Sequence, residues 1–113
     1  MEVRAVAKYI MMSPRKARLV ADMVRGMPAQ EALSTLRFVS KGAADPISKL
    51  IRSAVANAEE NYDLSADELV ISEIAADTGP ILKRRRFGAR GRYKPILKRT
   101  THLTVVLSSE ETA

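Results

Sequence analysis

The sequence predicts an α+β fold: three helices packed on a small three-stranded antiparallel sheet, with a long protruding basic β-hairpin. Three observations carry that reading. Apolar residues recur at helical spacing in three segments between residues 13 and 60, and strand-like stretches stand before and after them. Residues 78–101, TGPILKRRRFGARGRYKPILKRTT, hold nine Lys and Arg and no Asp or Glu. That run is internal, with strand-like DELVISEIAAD on one side and THLTVVLSS on the other.

The charge is sharply divided. The 113 residues include 19 Lys+Arg and 13 Asp+Glu, so outside the run 10 cations face 13 anions. The run alone therefore turns a body near −3 into a chain of +6. Like charges gathered in one segment repel each other, and their natural stabiliser is a polyanion. Arg, with its planar fork of donors, suits phosphate oxygens best. The candidate binding residues are Lys83, Arg84, Arg85, Arg86, Arg90, Arg92, Lys94, Lys98 and Arg99.

A hairpin is favoured over a floppy basic loop. Phe87-Gly88-Ala89-Arg90-Gly91 supplies glycines for the reversal. The two arms resemble each other about that centre, PILKR at 80–84 and again at 95–99. Two arms of about eleven residues at ~3.3 Å each project roughly 35 Å, further than so short a chain can cover with its own core. Pro80 and Pro95 suit exposed arms.

Taken in order, Glu2 to Ile10 reads as a half-buried strand. Val3, Ala5, Ala7 and Tyr9 share one side, with Glu2, Arg4 and Lys8 on the other. Ser13-Pro14 reads as an N-cap followed by proline at the first helical position. Ala17, Val20, Ala21 and Val24 then form one apolar face, and Gly26 stops the helix. Arg15, Lys16 and Arg18 sit in the first turn or just beyond it, where cations oppose the helix dipole. A bound phosphate would reverse that sign, so these three are candidate phosphate ligands; the plainer alternative is a solvated face. Pro28 opens a second helix carrying Ala29, Ala32, Leu33 and Leu36. The third carries Ile47, Leu50, Ile51, Ala54 and Ala58 to about Glu60, and starts either at Asp45-Pro46 or a turn earlier at Ser40. Leu69 to Ala76 is a strand. His102 to Ser108 is its returning partner, with Leu103, Val105 and Leu107 on one face. Residues 1–113 read as a single domain, with 78–101 as its extended basic hairpin.

Composition narrows the function classes. With no cysteine, disulfides, thiolate metal sites and cysteine nucleophiles are excluded. Arg4 and Lys8 break the first apolar run, which argues against a signal peptide. No apolar run approaches the ~20 residues of a membrane span. A soluble intracellular protein is expected. His102, the single histidine, stands among threonines and suits a structural or RNA-facing role better than catalysis. Glu59 and Glu60 are helix neighbours that do not share a face, so they form no acid–base pair. Gly88-Ala89-Arg90-Gly91 has the G-x-x-G spacing of a KH loop without the helices that loop requires. No nucleotide-binding fingerprint or metal-ligand cluster stands in the sequence, and neither enzyme activity nor cofactor nor metal is expected.

At this point the chain resembles a known family, the bacterial large-subunit ribosomal proteins of the L-twenty-two type. Three stretches in order carry the resemblance: SPRKAR at 13–18, SAVANAEEN at 53–61, and KRTTHLTVV at 98–106. One departure is Tyr93-Lys94-Pro95, where the family resemblance implies a more purely basic, small-residue arm. The resemblance implies a globular part on the subunit surface near the peptide exit, with a hairpin threaded through ribosomal RNA to line the nascent-chain tunnel. It places the tip at about Arg84 to Arg92, with Arg84, Phe87, Gly88, Ala89, Arg90 and Gly91 as tunnel-tip residues. Leu82-Lys83-Arg84 then lies where macrolide susceptibility is influenced in the family. The implied partners are large-subunit ribosomal RNA, neighbouring ribosomal proteins and the nascent peptide near the tip, with no membrane. The protein is expected to be a monomer when free, cytoplasmic within the large subunit, and an aid to subunit assembly. RNA would order the arm, so its conformation is expected to vary more in the free protein. The competing reading is a DNA-bending architectural protein whose basic β-arm enters the minor groove. It would want two arms and an apolar wedge, for which only Phe87 is available.

Overall fold

The computed structural model describes residues 2–39, 42–87 and 93–109. The elements run β1 (Glu2–Ile10), α1 (Pro14–Val24), α2 (Ala29–Arg37), α3 (Ala44–Tyr62), a short 3₁₀ turn (Ala66–Glu68), β2 (Leu69–Thr78), β3 (Leu82–Phe87), β4 (Tyr93–Lys98) and β5 (Thr101–Ser109). β1, β5 and β2 form an antiparallel sheet in that spatial order, so the last strand is the central one. The three helices cover one face of it. β3 and β4 pair with each other in a second, two-stranded sheet.

The core is built from the stripes that periodicity marks. Ala17, Val20, Ala21 and Val24 are fully buried on α1, as are Ile47, Ile51, Ala54 and Ala58 on α3. Leu103, Val105 and Leu107 meet them from β5, each at 0% exposure. Burying a side chain of the Leu, Ile or Val class contributes ~1.5–3 kcal/mol, so the aliphatic side chains dominate. The many buried alanines set how closely the helices approach.

Two strands depart from simple alternation, each through a bulge. In β1, Val3, Ala5 and Ala7 face the helices as expected, but the register shifts between Ala7 and Ile10 and Tyr9 adopts φ 58°. Ile10 is thereby turned partly inward, and Tyr9, expected on the buried side, is exposed. The irregularity in β2 falls between Ile71 and Glu73. It lets both Leu69/Ile71 and Ile74/Ala76 reach the core from positions of opposite parity.

Helix ends differ in detail from the sequence reading. Ser13 occupies the N-cap position of α1, but its side chain makes no capping bond; its backbone carbonyl accepts from the Ala17 N–H at 3.1 Å. α2 starts at Ala29 with Pro28 as its cap residue, and Leu33 is only half-buried. α3 starts at Ala44, placing Asp45 and Pro46 inside its first turn, where an acidic side chain complements the dipole. It runs past Glu60 to Tyr62 and is closed by Asp63 at φ 52°, with the Leu64 N–H donating back to the Ala58 carbonyl at 3.1 Å.

Candidate nucleic-acid interface

The basic segment is a β-ribbon that grows directly out of the central sheet. The β2–β5 ladder runs to Thr78 opposite Thr101, and the β3–β4 ladder resumes at Leu82 opposite Lys98 and continues to Phe87 opposite Tyr93. Between the two ladders, three outgoing residues (Gly79, Pro80, Ile81) face two returning ones (Arg99, Thr100). The extra residue makes this junction a bulge. The Gly79 N–H still donates to the Thr100 carbonyl at 3.0 Å, which joins the ladders.

This root is held by buried threonines that the sequence reading did not single out. Thr100 is 2% exposed and its hydroxyl donates to the Pro80 carbonyl at 2.6 Å. Thr101 is 0% exposed and donates to the Met12 carbonyl at 2.8 Å. The Tyr9 N–H donates to His102 Nδ1 at 3.1 Å, and the two rings meet edge to face with centroids 4.9 Å apart. An acceptor Nδ1 assigns the imidazole proton to Nε2, and His102 acts here as a structural brace. Each buried hydroxyl needs a carbonyl partner, and both partners are distant in sequence, so no local signal marks these threonines.

The predicted residues fall as follows. Lys83, Arg84, Arg85 and Arg86 lie in β3, and Lys94 and Lys98 in β4. Arg99 is exposed at the root. Phe87 ends β3 opposite Tyr93. Gly88, Ala89, Arg90, Gly91 and Arg92, most of the expected tip, lie outside the described residues. The pairing sets Arg86 opposite Lys94, a like-charge pair that costs stability unless an anion lies nearby. The molecule measures 68 × 26 × 19 Å with a radius of gyration of 17.2 Å. A compact chain of this length is expected near ~13 Å, so the ribbon accounts for an unusually extended shape.

Arg15, Lys16 and Arg18 are exposed at the start of α1. The structure brings them to the ribbon's root, because Thr101 holds Met12 just ahead of that helix and Arg18 Nε donates to the Ala76 carbonyl of β2 at 3.0 Å. Arg18 thus has a structural partner. Arg25 Nη2 likewise donates to the Ile74 carbonyl at 2.8 Å, while its Nη1 pairs with Asp22. Gly26 and Met27 exchange backbone bonds with Ile71, from the Gly26 N–H to the Ile71 carbonyl (3.0 Å) and from the Ile71 N–H to the Met27 carbonyl (2.9 Å). Together these groups seal the free edge of β2, which would otherwise offer unpaired backbone to another strand. Replacing Arg18 with Met, which keeps the stem and removes the fork, is expected to cost ~1 kcal/mol in a urea melt. An unaltered midpoint would mean that the bond to Ala76 contributes nothing.

The opposite charge gathers away from the root. From residue 53 to 82 there is no Lys or Arg, and seven acids stand there: Glu59, Glu60, Asp63, Asp67, Glu68, Glu73 and Asp77. All are exposed, and the first five lie at the end of α3 and in the turn before β2, a strand's length from Thr78. Among the described residues, no group of three or more His, Cys, Asp or Glu is placed to hold a metal ion, and no helix is long and apolar enough to cross a membrane.

Fold and charge together define an α+β protein whose sheet extends into a cationic ribbon. Comparison with known proteins gives that class a family. The profile described as "Ribosomal protein L22p/L17e" matches residues 5–108. The chain is 50% identical over 110 residues to the large ribosomal subunit protein uL22 of Chloroflexus aggregans, covering 97% of each chain. It is 49% identical over 106 residues to that of Desulfitobacterium hafniense, covering 94% of this chain and 93% of the other. The identity to that of Staphylococcus aureus is 50% over 108 residues, with 96% and 92% covered. The chain belongs to the ribosomal protein L22p/L17e family, a family of ribosomal components and not of enzymes.

Proposed function

We propose that the chain is a structural RNA-binding protein of the large ribosomal subunit, working as one domain whose residues 78–101 enter ribosomal RNA. The single observation that carries this is the acid-free cationic ribbon continuous with the central sheet and rooted beside the cationic start of α1. A ribbon without carboxylates can lie among packed phosphates, and two basic patches at one end let RNA segments be clamped on both sides of the root. Lys83, Arg84, Arg85, Arg86, Arg90, Arg92, Lys94, Lys98 and Arg99 are the ribbon's phosphate ligands, with Arg15 and Lys16 at the helix start. Arg18 contributes through the part of its fork not held by Ala76.

The polarity of the body supports an orientation. The acidic end of α3 and the turn after it repel RNA and face outward, at the subunit surface near the peptide exit. The ribbon points inward, so that Arg84, Phe87, Gly88, Ala89, Arg90 and Gly91 line the exit tunnel beside the nascent peptide. Ordering RNA around the ribbon assists subunit assembly in the cytoplasm, with neighbouring ribosomal proteins around the body.

The test is salt-dependent binding of the intact, monomeric chain to large-subunit ribosomal RNA and to duplex DNA. Ribosomal RNA is expected to bind more tightly across the salt range. Equal affinity for the duplex, accompanied by bending, would favour an architectural DNA-binding role instead.

A further inference from the structure

We propose that the outer edge of β1, with the groove between β1 and α3, docks an extended segment of a partner polypeptide as a fourth strand of the sheet. The two sheet edges are treated differently. β2's edge is closed by the Gly26–Met27 backbone and by Arg18 and Arg25. β1 is the other edge strand. Among the described residues, no backbone or side-chain group bonds to its outward N–H and C=O groups between Glu2 and Lys8. An open edge is usually blunted by a proline, by short length, by a bulge or by charged side chains, and of these β1 relies on the charges of Arg4 and Lys8. β1 is nine residues long and contains no proline, and its bulge falls only after Ala7.

Beside that edge lies a groove of about 400 Å³, with Ala7 and Ile10 on the strand side and Pro46, Leu50 and Ser53 on the helix side. Edge strand plus flanking helix is the geometry of strand addition. Main-chain bonds supply affinity there, and alternate side chains drop into the groove. The floor here suits a small or medium apolar side chain at every second position.

Charge selects the occupant. Arg4 and Lys8 on β1 and Lys49 and Arg52 on α3 are exposed, against Glu2 and Asp45. With four cations against two acids, a second copy of this basic edge is a poorer match than an acidic strand, since like charges opposed across a ladder destabilise it. The edge therefore fits best a strand that alternates apolar and acidic residues. This surface begins beside the ribbon's root, where Ile10 pairs with Thr101, and runs away from it along β1, and the docking does not depend on RNA binding.

The experiment uses the isotope-labelled full chain and a synthetic peptide of about ten residues, alternating Val and Glu, a typical strand length or slightly more. Amide shifts are expected along Glu2–Lys8 and Ile47–Ser53, with new exchange protection on β1. Ser53→Trp, which fills the groove from an exposed position, should weaken binding by about tenfold, and Lys49→Glu should weaken it while leaving the fold's spectrum intact. N-methylation of alternate peptide groups should abolish it. Undiminished binding of the N-methylated peptide, shifts confined to residues 82–99, or no shifts at millimolar peptide would overturn the proposal. Concentration-dependent pairing of β1 with itself would overturn the choice of occupant.

Discussion

Replacing Gly79 with alanine is expected to destabilise the chain by about 2 kcal/mol and to loosen the ribbon before the body. A Cβ at this position would lie 2.5 Å from Thr100 Oγ1, and 3.2 and 3.3 Å from Cε1 and Nε2 of His102. No flexible side-chain end is available to yield. Thr100 is β-branched and buried, and its hydroxyl is committed to the Pro80 carbonyl. His102 is held by the Tyr9 N–H and ring. The strands at the root must therefore separate, and the Gly79-to-Thr100 backbone bond weakens with them. A urea melt reads the first effect, and amide exchange across β3 and β4 reads the second. Thr100→Ala alone should cost ~1–2 kcal/mol through its lost hydrogen bond. In the double variant the clash is gone, so its cost should fall short of the sum by more than ~0.5 kcal/mol. Strict additivity would show that the close approach to Thr100 is not what makes glycine necessary.

Much of this architecture was legible in the residues because it follows from local spacing. Ala17, Val20, Ala21 and Val24 could face inward together only on a helix, and Leu103, Val105 and Leu107 only on a strand. The basic ribbon was legible because its arms are flanked by strands and centred on glycines. What escaped depended on partners distant in sequence. Tyr9 fits the alternation of β1 yet is exposed, because the bulge that turns it out depends on how β1 meets β5 at Ile10 and Thr101. Arg18 reads as a candidate phosphate ligand; its bond to β2, like that of Arg25, appears only once β2 places the Ala76 and Ile74 carbonyls beside α1. Thr100 and Thr101 are polar residues beside a charged run, and nothing local says that they are buried. The start of α3 reads equally at two positions, since Pro46 is compatible with any site in a first turn.

Replacing Lys83, Arg84, Arg85, Arg86, Arg90, Arg92 and Lys94 together with glutamine should produce the largest functional change. Each phosphate contact contributes ~0.7 to ~0.9 to the slope of log affinity against log salt, so losing seven should flatten the slope on ribosomal RNA by about 5 to 6. Over a fourfold rise in salt, that is ~10³-fold of salt sensitivity removed. Glutamine at Arg15 and Lys16 should flatten it by only about 1.5 to 2, which ranks the two patches. Neither change should lower the midpoint of a urea melt, because β3 and β4 form a sheet separate from the core strands and Arg15 and Lys16 are exposed. Removing the like charges Arg86 and Lys94 from directly opposed positions should, if anything, raise it. Since phosphate contacts position a protein without reading bases, the loss should be uniform across unrelated RNA segments. A slope unchanged in the seven-residue variant but flattened in the helix-start variant would assign RNA engagement to α1 and leave the ribbon without that role. A loss confined to one RNA segment would instead mean that the ribbon reads bases, and charge alone would no longer account for its sequence.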